Sequence, residues 1–526
     1  MLRDSIEKFV EHYLMPSAIE ADKCKFVHDP LWGTIEVMPY ELDILDSPLL
    51  QRLRQIHQTG FVHATFPSAR HSRFEHTLGV MHIAGKMAKT LRVRYPNIVD
   101  GTTEQRVRLA ALLHDSGHSA FSHTSEEVYS QCGDIVDLLS QGGEFEGKGA
   151  GEVISYLIVT SRTFRKFYQR IKQKHPDLQI EVDDFAPLIL SRAARQDKQF
   201  EADIISGPFD ADKLDYFPRD GRAAGIELAL DIDRLHHCLE LVEQQRTIGP
   251  NAGTNTNILI ANRGGFTAIQ QLLFARATLF SSVYHHHKVR ACDCMVKGCF
   301  EYFRQNQILF KANRAFGGVS LESAAEYLFL TDVDFFAEAN SHDIGSQQHK
   351  LIHNLLYRRL LKRVLTISTN TVESFEDETR VAKQKAGYDY FFNQRKNPRL
   401  MRKLAQDVLT RAKVNCSICE VWFDIPSSPT FKKAGDAQIN QAPRGKPPML
   451  KSLSAFIPVE KWVETYHQYY AQSFLFGPSN MNTRVKLACA ARIILRESPY
   501  RLILSDLAIA EDIRESVKAI EGAANL

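Results

Sequence analysis

Two histidine-bearing stretches and one acidic run carry side chains that can hold a cation and move protons. Arg70-His-Ser-Arg-Phe-Glu-His ends at His76, and Leu112-Leu-His-Asp-Ser-Gly-His-Ser-Ala-Phe-Ser-His sets His114 beside Asp115, followed by His118 and His123. Far downstream, Asp210-Ala-Asp-Lys-Leu-Asp-Tyr supplies carboxylates at Asp210, Asp212 and Asp215. Two imidazoles with two carboxylates suit a borderline or hard divalent ion such as Mn²⁺, Fe²⁺, Zn²⁺ or Mg²⁺. Four protein ligands leave positions open on a six-coordinate ion for water and substrate. An adjacent His-Asp pair is common by itself; these pieces in this order are specific.

Helices must position them. From His76 to about Val93, one apolar stripe runs through Val80, Ile83, Met87 and Leu91. Glu104 to His114 reads as a second helix with Val107, Ala110, Ala111 and Leu113 inward, so the pair can hold His76 and His114 facing each other. Gly117 favours a turn directly after the His-Asp pair. Asp46-Ser-Pro opens an earlier helix that buries Leu49, Leu50, Leu53 and Ile56 and leaves Gln51, Arg52 and Arg54 for other work.

Around these, residues 1–24 read as an amphipathic lead-in with Ile6, Phe9, Val10 and Tyr13 at helical spacing, and 27–36 as a turn and a short strand. Helices are expected over 150–175, 183–206, from 210 onward and over 266–300, with a flexible polar stretch at 249–257. Helical patterns continue to Val364. A strand is expected at 414–425, a mobile loop at 427–449, and helix again from 461 to 504. The domain reading is a lead-in at 1–24, a core at 25–364 and a C-terminal lobe at 365–526.

The chain's 526 residues, 44% hydrophobic and 24% charged, lie within the ordinary globular range. A net charge of +3 does not demand a polyanionic partner. The odd number of cysteines, 9 at irregular spacings, is no disulfide framework and points to a reducing cytoplasm. The N-terminus has no secretory signal pattern, and no apolar run approaches the ~20 residues that span a bilayer.

At these motifs the sequence resembles the HD-domain deoxynucleoside triphosphate triphosphohydrolases, which include bacterial dGTPase-like enzymes and the sterile-alpha-motif and HD-domain enzymes. The likeness runs from Lys25 to about Val364, and Phe456-Ile-Pro-Val-Glu-Lys-Trp-Val looks like the family's C-terminal lobe; the lead-in is too short for a sterile-alpha-motif domain. The resemblance implies a mainly α fold, an HD-domain helical core with a smaller mixed α/β C-terminal lobe, and hydrolysis of dNTP to deoxynucleoside and triphosphate. It makes His76, His114, Asp115 and Asp212 the metal ligands and His118 and His123 the catalytic histidines, with His123 the proton donor. Glu146, in Phe145-Glu-Gly-Lys-Gly, stands where some members carry a histidine. Gln58, Arg73, Lys213, Tyr216, Asp220, Arg276 and Tyr284 become substrate contacts, with Mg²⁺ arriving on the triphosphate. Lys25, Asp46, Gln51 and Arg54 match a guanine-nucleotide activator site, and the family implies a homo-oligomer. The pathway would be dNTP pool control or defence against phage.

Simpler readings apply elsewhere. His57, His63, His71 and His82 read as structural, Cys416-x-x-Cys419 as core because zinc needs about four ligands, and Lys432 to Lys446 as solvated linker more than a nucleic-acid contact. The competing functions are an HD phosphohydrolase acting on another nucleotide and a non-catalytic nucleotide sensor or single-strand binder. The absence of a Gly-Tyr-Pro signature weighs against a cyclic-dinucleotide phosphodiesterase.

Overall fold

The computed structural model describes residues 2–14, 18–245, 253–312, 317–373, 380–427, 437–443, 446–497 and 500–524. The fold is mainly helical with small sheets. It divides into two compact units: Met1–Leu279 with Gln307–Glu338 and Phe431–Pro458, and Phe280–Asn306 with Ala339–Thr430 and Val459–Leu526. The expected boundary near 365 falls within the strand Lys362–Ile367 of the second unit.

In the first unit, helix α1 (Leu2–Leu14) buries Ile6, Phe9 and Val10 as its spacing requires. A hairpin follows, β1 (Lys25–Asp29) paired antiparallel with β2 (Gly33–Val37), where one short strand was expected. Helix α2 (Arg73–Arg94) opens on a capping box: the Ser72 side chain accepts from Glu75 N, and Glu75 returns to Ser72 N. Its buried positions go beyond one stripe and include Arg73, Phe74, His76, Val80, Ile83, Met87 and Leu91. A helix covered on so many sides can carry charged groups inside the unit, provided each finds a partner. Helix α3 (Gly101–Leu113), capped by Asp100 accepting from Thr103 N, ends one residue before His114.

Two expected helices of this unit are broken. Ser161 separates α5 (Ala150–Thr160) from Arg162–Lys174 and caps the latter by accepting from Phe164 N; α4 (His123–Tyr129) precedes them. The 183–206 reading divides into Val182–Ile189 and Gln199–Ser206. Helix α6 (Ala211–Ala224) is capped by Asp210 and stopped by Gly225 in the left-handed region. Then β3 (Leu239–Gln245) pairs antiparallel with β4 (Asn255–Asn262), so 255–257 of the polar stretch is strand; residues 246–252 lie outside the described residues. The strand Gln438–Asn440 pairs parallel with β4 and antiparallel with Leu450–Ser452, so part of the expected 427–449 loop is sheet. Residues 428–436 and 444–445 lie outside the described residues.

The expected 266–300 helix is α7 (Phe266–Leu279), a π turn at Phe280–Tyr284, and His287–Gln305. His285 N donates to Phe280 O, the wider ring that breaks the α ladder. In the second unit, Lys362–Ile367 and Trp422–Asp424 flank Ser473–Gly477 in an antiparallel sheet. The 414–425 reading thus shortens to a 3₁₀ turn and three strand residues, and 461–504 to Val459–Tyr469, a strand and Met481–Arg496. No described helix is long and apolar enough to cross a membrane.

Candidate metal centre and its imidazole cluster

His76 is fully buried on α2. Its Nδ1 lies 2.8 Å from Asp215 Oδ2, and its Nε2 lies 3.1 Å from Asp212 Oδ1 without the alignment of a hydrogen bond. His114 hangs from the end of α3 with Nδ1 2.7 Å from Ala111 O, which leaves its Nε2 buried and unpartnered. Metal-ligand atoms of His76, His114 and Asp212 all lie within 4.8 Å of one another. Asp115 stands outside that trio: its Oδ1 lies 3.4 Å from His114 Nε2 and its Oδ2 3.7 Å from His76 Nε2, while Arg73 pairs with the same carboxylate.

These residues fit a divalent ion. Two buried imidazole nitrogens without hydrogen-bond partners face carboxylates, and such atoms need an occupant. Burial works against charge on His76, yet Asp212 and Asp215 outweigh it and push its pKa up to about 10. The pocket therefore demands positive charge at Nε2, which a proton or a cation can supply. Burial likewise opposes ionisation of Asp115, but Arg73, then His114 and His118, hold its carboxyl well below the usual range.

The loop after the His-Asp pair is pinned from several sides. Gly117 has no room for a side chain, because a Cβ would stand 2.6 Å from Gly151 O, and its N–H donates to Ser155 Oγ. Arg52 donates to Ser116 O and His118 O, an unexpected structural role. Phe121 and Ser122 both adopt φ +57°, a left-handed backbone that costs of order 1–3 kcal/mol per non-glycine residue. Asp332 accepts from Phe121 N, and Arg73 Nε donates to Ser122 Oγ, holding that turn in place. His123 leaves it as the first residue of α4.

His118 Nε2 is 3.3 Å from Asp115 Oδ1, and the His118 and His123 rings lie 5.2 Å apart edge to face. His123 Nδ1 meets Glu126 Oε2 at 2.9 Å, and Glu126 also accepts from Gly151 N. Burial, then Arg73, pull His118 down to about 4. Desolvation by the surrounding protein opposes charge on His123 too, but its Glu126 hydrogen bond prevails and raises it. One imidazole is thus held neutral and the other disposed to carry a proton. Sequence reasoning missed Glu126, although its place three residues after His123 on a helix is a readable signal. Glu146 is exposed and makes no hydrogen bond or ion pair among the described residues.

Arg73 is buried and spends two nitrogens on Asp115 and Ser122, while Nη2 has no partner. Lys213 Nζ is paired with Asp210 and with Gly207 O. Burial raises Asp210 to about 6 against the pull of Lys213, with Asp212 adding to the rise. Tyr216 OH accepts from Arg276 Nη1 at 3.3 Å, and Asp220 meets His71 Nε2 at 2.8 Å. Gln58 Oε1 is buried without a partner. Tyr284 belongs to the second unit, its ring edge-on to Phe280. Of the effector candidates, Lys25 lies 3.7 Å from Asp46, and Arg54 donates to Gln51 while covering the Phe74 ring.

His57 pairs with Asp332 through Nδ1, in keeping with its structural reading. Cys292, Cys294 and Cys419 are buried, and no cysteine joins a metal-competent group among the described residues. The second unit also holds a cavity of about 220 Å³ lined by His287, Lys288, Arg358, Lys362, Arg363 and Arg484 with Asp512. Its lining suits an anion; the signal for it was the basic run Arg358-Arg-Leu-Leu-Lys-Arg.

Comparison with known proteins agrees with this geometry. Residues 73–216 match the HD domain, and residues 230–493, half of the chain, match the HD associated region. An uncharacterised protein of Methanocaldococcus jannaschii is 32% identical over 274 residues, 52% of this chain and 48% of its own length. The deoxynucleoside triphosphate triphosphohydrolase SAMHD1 homolog of Dictyostelium discoideum is 27% identical over 356 residues, 66% of this chain and 61% of its own. The Homo sapiens SAMHD1 enzyme is 25% identical over 400 residues, 70% and 61%. The chain spans about half to three fifths of the length of these curated relatives. With its His-Asp helices inside the first match and half its length inside the second, the chain belongs to the HD-domain family that carries the HD-associated region, as a distant relative of the SAMHD1 dNTP triphosphohydrolases.

Proposed function

We propose that the chain is a metal-dependent triphosphohydrolase that converts a deoxynucleoside triphosphate to deoxynucleoside and inorganic triphosphate. The observation that carries this reading is the convergence of His76, His114 and Asp212 beside Arg73 and the His118–His123–Glu126 cluster. The activity named for the SAMHD1 relatives supports the substrate class. A divalent ion (Mn²⁺, Fe²⁺, Zn²⁺ or Mg²⁺) held by His76, His114, Asp115 and Asp212 would lower the pKa of a water and polarise a phosphoryl oxygen. Mg²⁺ accompanies the triphosphate, since it prefers phosphate oxygens and water.

The chain's own groups supply the rest. Arg73 offers its unpartnered Nη2 to a phosphoryl oxygen while Asp115 and Ser122 hold the rest of the guanidinium. Lys213 contributes a point charge, and Tyr216 with Arg276 lies on the phosphate side. Gln58 and Asp220 serve the sugar. As a water oxygen bonds to the α-phosphorus, the P–O5′ bond breaks. The 5′-oxygen then takes the proton from His123 Nε2, the nitrogen that Glu126 leaves free. Such general acid catalysis contributes typically 10²–10⁴-fold.

Incubation with each dNTP and Mn²⁺ or Mg²⁺, followed by anion exchange, tests the reaction. Inorganic triphosphate is the expected product; pyrophosphate or orthophosphate in its place rejects it. The proposal includes activation by a nucleotide bound at Lys25, Asp46, Gln51 and Arg54 of a homo-oligomer. Pairs of nucleotides in the same assay, with sedimentation in their presence and absence, test that part.

A further inference from the structure

We propose that Asp215 is a positioning residue: its carboxylate fixes His76 with the proton on Nδ1 and so aims the Nε2 lone pair at the space shared with His114 and Asp212. The inference rests on the metal-dependent reading above, but not on the identity of the substrate.

The geometry leaves Asp215 little other freedom. Its two oxygens accept from His76 Nδ1 at 2.8 Å, Trp32 Nε1 at 2.5 Å, Arg219 Nε at 2.8 Å and Arg219 Nη2 at 2.9 Å. A carboxylate has about four lone-pair sites, so these donors saturate it. Because an ionised carboxylate can only accept, the His76 nitrogen facing it must be the one that carries hydrogen. In the neutral ring, the form that can ligate a cation, Nε2 then bears the lone pair, and it is the nitrogen without a hydrogen-bond partner.

The surroundings are cut to admit this carboxylate. Gly79 lies one turn after His76 on α2, and a Cβ there would stand 1.8 Å from Asp215 Oδ1. Trp32 sits in the turn between β1 and β2, and Arg219 Nη1 continues to Asp29 at 2.9 Å on the same hairpin. The hairpin therefore clamps Asp215 from one side while His76 receives it from the other. On α6 the candidate ligand Asp212 and the positioning residue Asp215 are three residues apart, so one helix face serves Nε2 and Nδ1 of the same ring.

A purely structural reading makes Asp215 only the counter-ion of Arg219. Mn²⁺ affinity measured by calorimetry on wild type, Asp215→Asn and Asp29→Asn separates the two, because both variants remove a carboxylate from Arg219 but only one touches His76. Orienting partners of this kind are worth about 10–100-fold in metal affinity. Asp215→Asn is expected to bind Mn²⁺ 10–100-fold more weakly, and Asp29→Asn to stay within about twofold of wild type. Equal affinities for Asp215→Asn and wild type, or equal losses in both variants, overturn the proposal. Should Asp215→Asn fail to fold, ¹⁵N-histidine spectra of the Zn²⁺-loaded wild type decide. Nε2 coordinated with Nδ1 protonated supports the assignment, and the reverse overturns it. A wild-type chain that takes up no divalent ion overturns this inference and the metal reading together. Normal Mn²⁺ binding without triphosphate release counts only against the proposed reaction.

Discussion

His76 Nε2 and Asp212 Oδ1, contributed by different helices, lie 3.1 Å apart without forming a hydrogen bond. With Nε2 unprotonated these are two acceptor atoms, which repel unless a proton or a cation supplies positive charge between them. With His114 Nε2 also unpartnered, the centre reads as a cation site.

Asp212→Asn and His114→Ala are therefore expected to lose bound metal and turnover together, each by at least about 100-fold. Metal content by mass spectrometry and triphosphate release are the measurements. Full metal occupancy in either variant removes that residue from the ligand set.

Glu126 holds the His123 pKa up, and His123 must be protonated to act as an acid. Activity should fall as pH rises through that pKa. Glu126→Gln lowers the pKa, so its decline should begin at lower pH than in wild type, with kcat reduced and metal content unchanged. Glu146→Ala should leave the profile where it is. A pH–rate profile of all three proteins checks this, and an unshifted limb in Glu126→Gln contradicts the pairing.

His236 is buried with both ring nitrogens unpartnered. Burial, then Lys86, depress its pKa to about 4, whereas an unfolded histidine titrates near 6.5. The folded state thus binds the proton less well. Its contribution is complete above pH 6.5 and is lost as pH falls from 6.5 toward 4, by up to about 3 kcal/mol. His236→Leu should flatten that part of the stability curve in urea titrations at a series of pH values.

Arg106 and Glu201 are paired in the interior at 2.7 Å, and Glu201 is 0% exposed. Glu201→Ala leaves a buried guanidinium with only Asp100 as a carboxylate partner and should cost about 3–5 kcal/mol, read as a drop in the denaturation midpoint.

The local devices were legible because their causes lie within a few residues. Gly117 turns the chain where a Cβ has no space, whereas α2 and α3 begin three residues before the expected His76 and Glu104, at caps made by Ser72 and Asp100. Of the α1 stripe, Ile6, Phe9 and Val10 are buried and Tyr13 is half-buried. Where helices broke unexpectedly, the cause was again local but weak: Ser161 caps a new helix, and the π ring at Phe280 carries no composition mark. Strands β3 and β4 escaped notice because β4 opens on the polar Asn255-Thr-Asn and its second partner, Gln438–Asn440, lies far along the chain.

The chain's residues alone set imidazoles and carboxylates suited to a divalent cation on expected helices, because residue type sets what an atom can bind, and the family resemblance of its motifs implied the helical HD core. Only the tertiary structure decided which carboxylate serves which imidazole. It set Glu126 against His123, gave Asp215 to the far side of His76, and turned Arg52 onto the carbonyls of the site loop. Hydrogen bonds and ligation act over about 3 Å, and no spacing along a chain specifies contact at that range between side chains brought together by packing.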